Sequence, residues 1–175
     1  MEIARYDLGP VYALSAEAIG QPGKRTFRLL ADSGQGEATL WLEKEQLLGL
    51  ALAIHQVLSS LGEESGPAPP GGEEKAEGPA GEPAVVEFKI GRLSLGYDGE
   101  RGRFEVWVHE EGVAEDEEAQ PTLAFQASRD MMQGLAGEAL AVCSAGRPIC
   151  PLCQGPIDPK GHLCPRANGH RAGAR

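Results

Sequence analysis

At 175 residues the chain is long enough to bury a genuine core, and it reads as one domain with a small appendage. Its formal charge of −10 disfavours nonspecific attraction of the whole molecule to nucleic acid or to an anionic membrane. No stretch approaches the roughly 20 apolar residues of a membrane span, and the N-terminus lacks the apolar run of a signal peptide, so a cytoplasmic location is the expectation.

The first three strands are expected at Pro10 to Ile19, Arg25 to Ala31 and Ala38 to Leu42, the first two bounded by glycines. A helix should follow from Lys44 to Leu61. Its apolar residues Leu47, Leu48, Leu50, Ala51, Ile54, Val57, Leu58 and Leu61 recur at three- and four-residue steps, which gives one broad buried face.

From Gly62 to Pro83 the sequence is nearly all Gly, Pro, Glu, Ala and Ser, the composition of a disordered linker. The order then returns. Val85 to Leu95 and Arg103 to His109 alternate apolar with polar residues, and Thr122 to Ala127 is a further strand. The acidic run between Glu110 and Glu118 reads as a solvated hairpin connection. Ser128 is a suitable N-cap for a second helix, with Asp130 in its first turn and Gly146 as its stop.

The fold class is therefore α+β: two β-β-β-α units forming one or two antiparallel sheets packed by two helices, in a body spanning 1–146. Short hairpin connections make neighbouring strands antiparallel. A small zinc-binding tail, 147–175, completes the chain. From Arg147 onward five basic residues face the single acid Asp158, so a basic tail follows an acidic body.

Three of the four cysteines fall in that tail, in the stretch CPLCQGPIDPKGHLC. In a reducing compartment such clustering points to metal ligation rather than to a disulfide. Cys150 and Cys153 form a tight knuckle, and Cys164 supplies a third thiolate after a loop of ten residues. Zinc takes four ligands at tetrahedral angles. The fourth is His162, where Gly161 permits the turn that two close ligands need, or alternatively His170, which follows the turn signal Asn168-Gly169. A redox CxxC pair normally opens a helix in a βαβ setting, whereas this pair follows the end of a helix. Thiolate-rich ligation by four protein groups points to structural rather than catalytic zinc. Asp158, before Pro159, reads as a turn residue.

Other residues invite plainer readings. Cys143 is expected as a small buried hydrophobe, and His55 and His109 as ordinary surface or boundary histidines. Glu43 and Glu45 suit the start of a helix, and residues two apart do not share a helix face. The turn from Gly20 to Arg25 offers Lys24 and Arg25 as a candidate anion contact, although it lacks the strand-loop-helix setting of a P-loop.

The tail pattern Cys-Pro-Leu-Cys-x-Gly-Pro-Ile-Asp-Pro-x-Gly-His-x-Cys-Pro-Arg-x-Asn-Gly resembles that of an uncharacterised bacterial family, a domain of unknown function. The likeness extends through Gly20-x-Pro-Gly-x-Arg-Thr-Phe27, Leu42-Glu-Lys-Glu-Gln46 and Phe88-x-Ile-Gly91. The resemblance implies a single-domain cytosolic protein encoded near histidine-phosphatase-like and kinase-like genes. In that family an aromatic residue often occupies the place of His170, which implies His162 as the ligand.

These readings lead to a noncatalytic zinc protein, a scaffold or interaction module whose partner is another protein and not a membrane. One alternative is an enzyme or enzyme subunit acting on a small phosphorylated compound. Another is nucleic-acid binding through the basic tail, where no interleaved aromatic set supports base stacking.

Overall fold

The computed structural model describes residues 4–21, 23–62, 83–113, 119–146, 150–155, 157 and 161–166, and the backbone of 171–172. Nearly all of the expected linker and the latter part of the acidic run, 114–118, lie outside the described residues.

Among the described residues eight strands and two helices follow one another in chain order: β1 (Tyr6–Ile19), β2 (Thr26–Ser33), β3 (Gly36–Leu42), α1 (Lys44–Leu61), β4 (Ala84–Asp98), β5 (Arg103–Glu110), β6 (Leu123–Ser128), α2 (Arg129–Ser144), β7 (His162–Leu163) and β8 (Arg171–Ala172). The two β-β-β-α units are those read from the sequence. The first strand starts earlier than expected, at Tyr6, because Gly9 (φ 59°) and Pro10 do not end it. They sit where its register against β6 shifts.

Within each unit the strands pair antiparallel, β1 with β2 with β3 and β4 with β5 with β6. Between the units the expectation of an antiparallel sheet needs correcting. β3 pairs parallel with β4, and β6 pairs parallel with β1, so the six strands close into one mixed barrel. The physical reason is connection length. A hairpin reverses the chain, but the helix between β3 and β4 carries it back to the same end and leaves them parallel, and the antiparallel pairs within each unit then set β6 parallel to β1.

The halves repeat down to their irregularities. A register shift falls between Val11 and Ala13 in β1, and another between Ile90 and Arg92 at the corresponding place in β4. Each third strand runs straight into its helix. Ser128 accepts a hydrogen bond from the Met131 amide, and at the matching position the Glu43 amide donates to Gln46 Oε1 at 2.9 Å. Gln46 Nε2 also donates to Ile90 O at 3.2 Å, which anchors the start of α1 on the bulge of β4. At the β3–β4 seam the chains approach so closely that a side chain on Gly36 (φ 153°) would begin 2.1 Å from Ala84 O. Glycine is required there.

The helices lie antiparallel, and the first residue of each is a cation. Such a residue opposes its own helix dipole but suits the carbonyl end of a neighbour. Arg129 Nη2 donates to Gly62 O, at the end of α1, at 3.1 Å. Reciprocally, the Lys44 ammonium lies beside Gly146, at the end of α2, 3.8 Å from where a side chain there would begin.

One core joins the barrel to both helices. Leu29, Leu40, Phe104, Val108 and Leu123 of the strands meet Leu47, Ile54, Met132 and Leu135 of the helices, all essentially shut off from solvent. Leu48, expected in the buried face of α1, is instead exposed, because the apolar stripe narrows to Leu47, Leu50, Ala51 and Ile54. No described helix is long and apolar enough to cross a membrane.

His109 also departs from expectation. It is buried, and its Nε2 lies 3.0 Å from Ala119 O and 3.1 Å from Arg92 Nη2. If Nε2–H donates to Ala119, the lone pair of Nδ1 is left without a donor among the described residues. The chain returning through Ala119 covers a ring that the strand pattern alone places at an edge. His55 is exposed on α1, as expected.

Truncation at the centre of the core should cost far more than truncation on the open side of α1. Leu40→Ala is expected to lower unfolding stability by about 2–5 kcal/mol, in the range of large-to-small core changes. Leu52→Ala, at an exposed position, should change it by less than about 0.5 kcal/mol. Urea unfolding followed by circular dichroism separates the two.

Candidate metal centre

The tail builds its cluster from a knuckle and a short hairpin. The Cys150 amide donates to Gly155 O and the Gln154 amide to Cys150 O, both at 2.8 Å. Gln154 takes a left-handed conformation (φ 57°) to close this turn. Gly161 (φ 86°) turns the chain into β7, which carries His162 and pairs antiparallel with β8. The hairpin is a feature that the sequence pattern does not announce.

These turns gather Cys150 Sγ, Cys153 Sγ, a ring nitrogen of His162 and Cys164 Sγ so that all four lie within 4.8 Å of one another. Cys150 Sγ and Cys164 Sγ are 3.8 Å apart, and Cys153 Sγ is 3.3 Å from His162 Nε2. A disulfide would need about 2.05 Å, so these are free thiols. Sulfurs bound at about 2.3 Å to one tetrahedral ion would stand roughly 3.8 Å apart. The spacing is that of a shared ion rather than of a covalent bond.

The electrostatics are local. Amides of Cys153 and Leu152 aimed at Cys150 draw its thiol down to about 7, while burial pushes the Cys164 thiol up. His162 Nδ1 is buried and has no hydrogen-bond partner among the described residues. Among the described residues no carboxylate belongs to the group. Four side chains of this kind, held at this spacing, could bind a metal ion.

Among the described residues of the tail, Cys150, Ile157 and Cys164 are buried together, with Cys153 packed against them, in an apolar group separate from the main core. So small a group contributes little against the entropy of ordering a loop. Of the tail's basic residues, Arg166 is occupied locally, donating to Leu152 O at 3.3 Å.

Other candidate residues are dispersed. His170 lies outside the described residues, as does Asp158. Cys143 is buried on α2 with its Sγ 3.9 Å from Lys44 O, and burial pushes its thiol up, which makes it a poor nucleophile. Glu43 pairs with Lys89 at 3.1 Å. Lys24 is an exposed turn residue whose amide donates to Gln21 O. Arg25 diverges from it. It turns into a cleft of about 630 Å³ that is also lined by Lys44 and Gln154. Its Nε–H is sealed from solvent with no acceptor among the described residues, an arrangement that costs about 1–3 kcal/mol. That Arg25 and Lys44 line one cleft has no signal in the sequence, because Lys44 opens an 18-residue helix that shares no turn motif with the β1–β2 connection.

Thiols must lose their protons to bind an ion. Metal uptake at neutral pH should therefore release protons, from Cys164 above all. Retention should weaken as pH falls through about 7, where Cys150 protonates. Metal content after dialysis at pH 5 and at pH 8 measures this, with loss expected only on the acid side.

Comparison with curated proteins and with solved structures gives no match. Compared with sequence families, residues 6–164 match the one described as "Protein of unknown function (DUF3090)". The matched span takes in both β-β-β-α units and runs through all three clustered cysteines, and the chain belongs to that family.

Proposed function

We propose that this chain is a noncatalytic zinc protein in which the ion folds the tail, and that body and tail together form a scaffold that engages another protein. The observation that carries the reading is the convergence of three thiols and one imidazole within 4.8 Å over so small a buried cluster. Zinc is the ion because thiolate with imidazole in a closed four-ligand set suits it, and because it brings no redox chemistry to the thiolates. A full set of protein ligands leaves no position for water or substrate, which supports a structural role over a catalytic one. His162 rather than His170 is the fourth ligand, since its ring already faces Cys153.

The contact with a partner is assigned to the outer face of the tail. Leu152 of the knuckle and Leu163 of β7 are 49% and 76% exposed, side chains that folding of the tail leaves in water. Apolar groups of this kind beside a rigid metal knuckle suit a protein surface better than a polyanion. The acidic body argues in the same direction against nucleic acid.

Protein purified without added metal should carry one zinc per chain. A strong chelator should unfold the tail while leaving the circular dichroism of the barrel and helices in place. His162→Ala should weaken zinc retention by at least tenfold, and His170→Ala should leave it unchanged. A metal-free protein with an ordered tail, or equal effects of the two substitutions, would sink the reading.

A further inference from the structure

The cleft that receives Arg25 is not explained by the metal centre. It opens where four parts of the fold meet: the β1–β2 turn, the first turn of α1, the last turn of α2 and the metal knuckle. Phe27 and Val142 supply apolar wall, Arg25 and Lys44 supply positive charge, and Gln154 closes the side toward the tail. Its volume of about 630 Å³ is in the range of sites that enclose a small organic molecule.

Two side chains give the cleft a sign. Arg25 brings a guanidinium that is always charged and whose Nε–H is buried without an acceptor among the described residues. Lys44 brings an ammonium to the same space. The positive end of the α1 dipole is offset there by the carbonyl end of α2 at Ser144 and Gly146, so the charge of the cleft comes from the two cations. Two carboxylates also border the cleft. Glu43 is drawn to Lys89 at 3.1 Å, and Glu45 is exposed to solvent, so neither supplies the missing acceptor.

The internal repeat provides a control within the molecule. Arg25 immediately precedes β2, and the residue that immediately precedes β5 is Gly102, in a left-handed conformation (φ 65°). Lys44 does have a counterpart in Arg129, so a cation at the helix start belongs to the repeated architecture. Arg25 and the knuckle do not repeat. They mark one end of the duplicated body as different from the other.

We infer that this cleft is a binding site for a small molecule bearing one oxyanionic group, a phosphate or a carboxylate, with that group held by Arg25 and Lys44. The organic remainder lies against Phe27 and Val142. Because Gln154 forms one wall, the complete site rests on the metal reading above, whereas the Arg25 contact does not.

The test uses the full chain with zinc bound, labelled with nitrogen-15, and titrated with inorganic phosphate, phenyl phosphate and benzoate. At least one probe should saturate. It should shift the guanidinium resonances of Arg25 and move the Lys44 and Glu45 amides. Phenyl phosphate or benzoate should bind tighter than inorganic phosphate, and the better of the two identifies the anionic group. Arg25→Gln should weaken binding at least tenfold, and Lys24→Gln by less than twofold. No saturable shift with any probe, or binding that Arg25→Gln retains, would overturn the site. Chelation should weaken the same titration severalfold, and unchanged affinity would remove the knuckle from it. A chain that takes up no zinc yet binds through Arg25 would sink the metal reading and uphold the anion contact.

Discussion

Parallel pairing at the two seams is the constraint from which the rest of this fold follows. The helix between β3 and β4 returns the chain to the sheet in the same direction, so those two strands meet in parallel. Antiparallel pairing within each unit then leaves β6 running the same way as β1, so closure joins them in parallel and leaves no free edge on the six strands. The helices that follow β3 and β6 lie antiparallel, and each begins where the other ends. The cations at Lys44 and Arg129 are intelligible only in that setting, since each sits at the unfavourable end of its own helix and the favourable end of its neighbour.

Two different means of stabilisation serve the two parts of the chain. The body rests on ordinary burial, with strand residues such as Leu29, Phe104 and Val108 against the inner faces of α1 and α2. The described residues of the tail bury one small apolar group, and two turns and a two-residue hairpin gather its four candidate ligand atoms. A close-packed core tolerates few conformations, whereas a ligand set with one missing member loses its geometry at once. The cleft at Arg25 lies where these two modes adjoin, so its shape depends on both.

Much of this was legible in the sequence, for reasons particular residues make clear. Strands end in helices at Glu43 and Ser128 because each supplies a cap beside a new apolar period. The clustering of Cys150, Cys153, His162 and Cys164 was readable because two cysteines three apart, with a third cysteine and a histidine a loop away, have few other uses in so polar a segment. What was not legible is what depends on contacts distant in sequence. Barrel closure has no local signature, since the alternation in β3 is the same whichever strand lies beside it. Burial of His109 depends on the chain returning through Ala119, and the exposure of Leu48 on where α2 happens to lie. The divergence of Arg25 from Lys24 reflects the alternation of a strand start, but its meeting with Lys44 is tertiary.

The repeated unit carries a further implication for its own history. One β-β-β-α half, detached, would present β1 and β3 as open edges and leave the carbonyl end of its helix without the cation it expects. Both defects are complementary to features of an identical copy: edge to edge in parallel, helix start to helix end. Two separate halves could thus assemble as a twofold-symmetric dimer with the same barrel, and the single chain has the form of such a dimer joined end to end. Joining freed the halves to diverge. The end that acquired Arg25 and the cysteine tail is the one where that freedom was used.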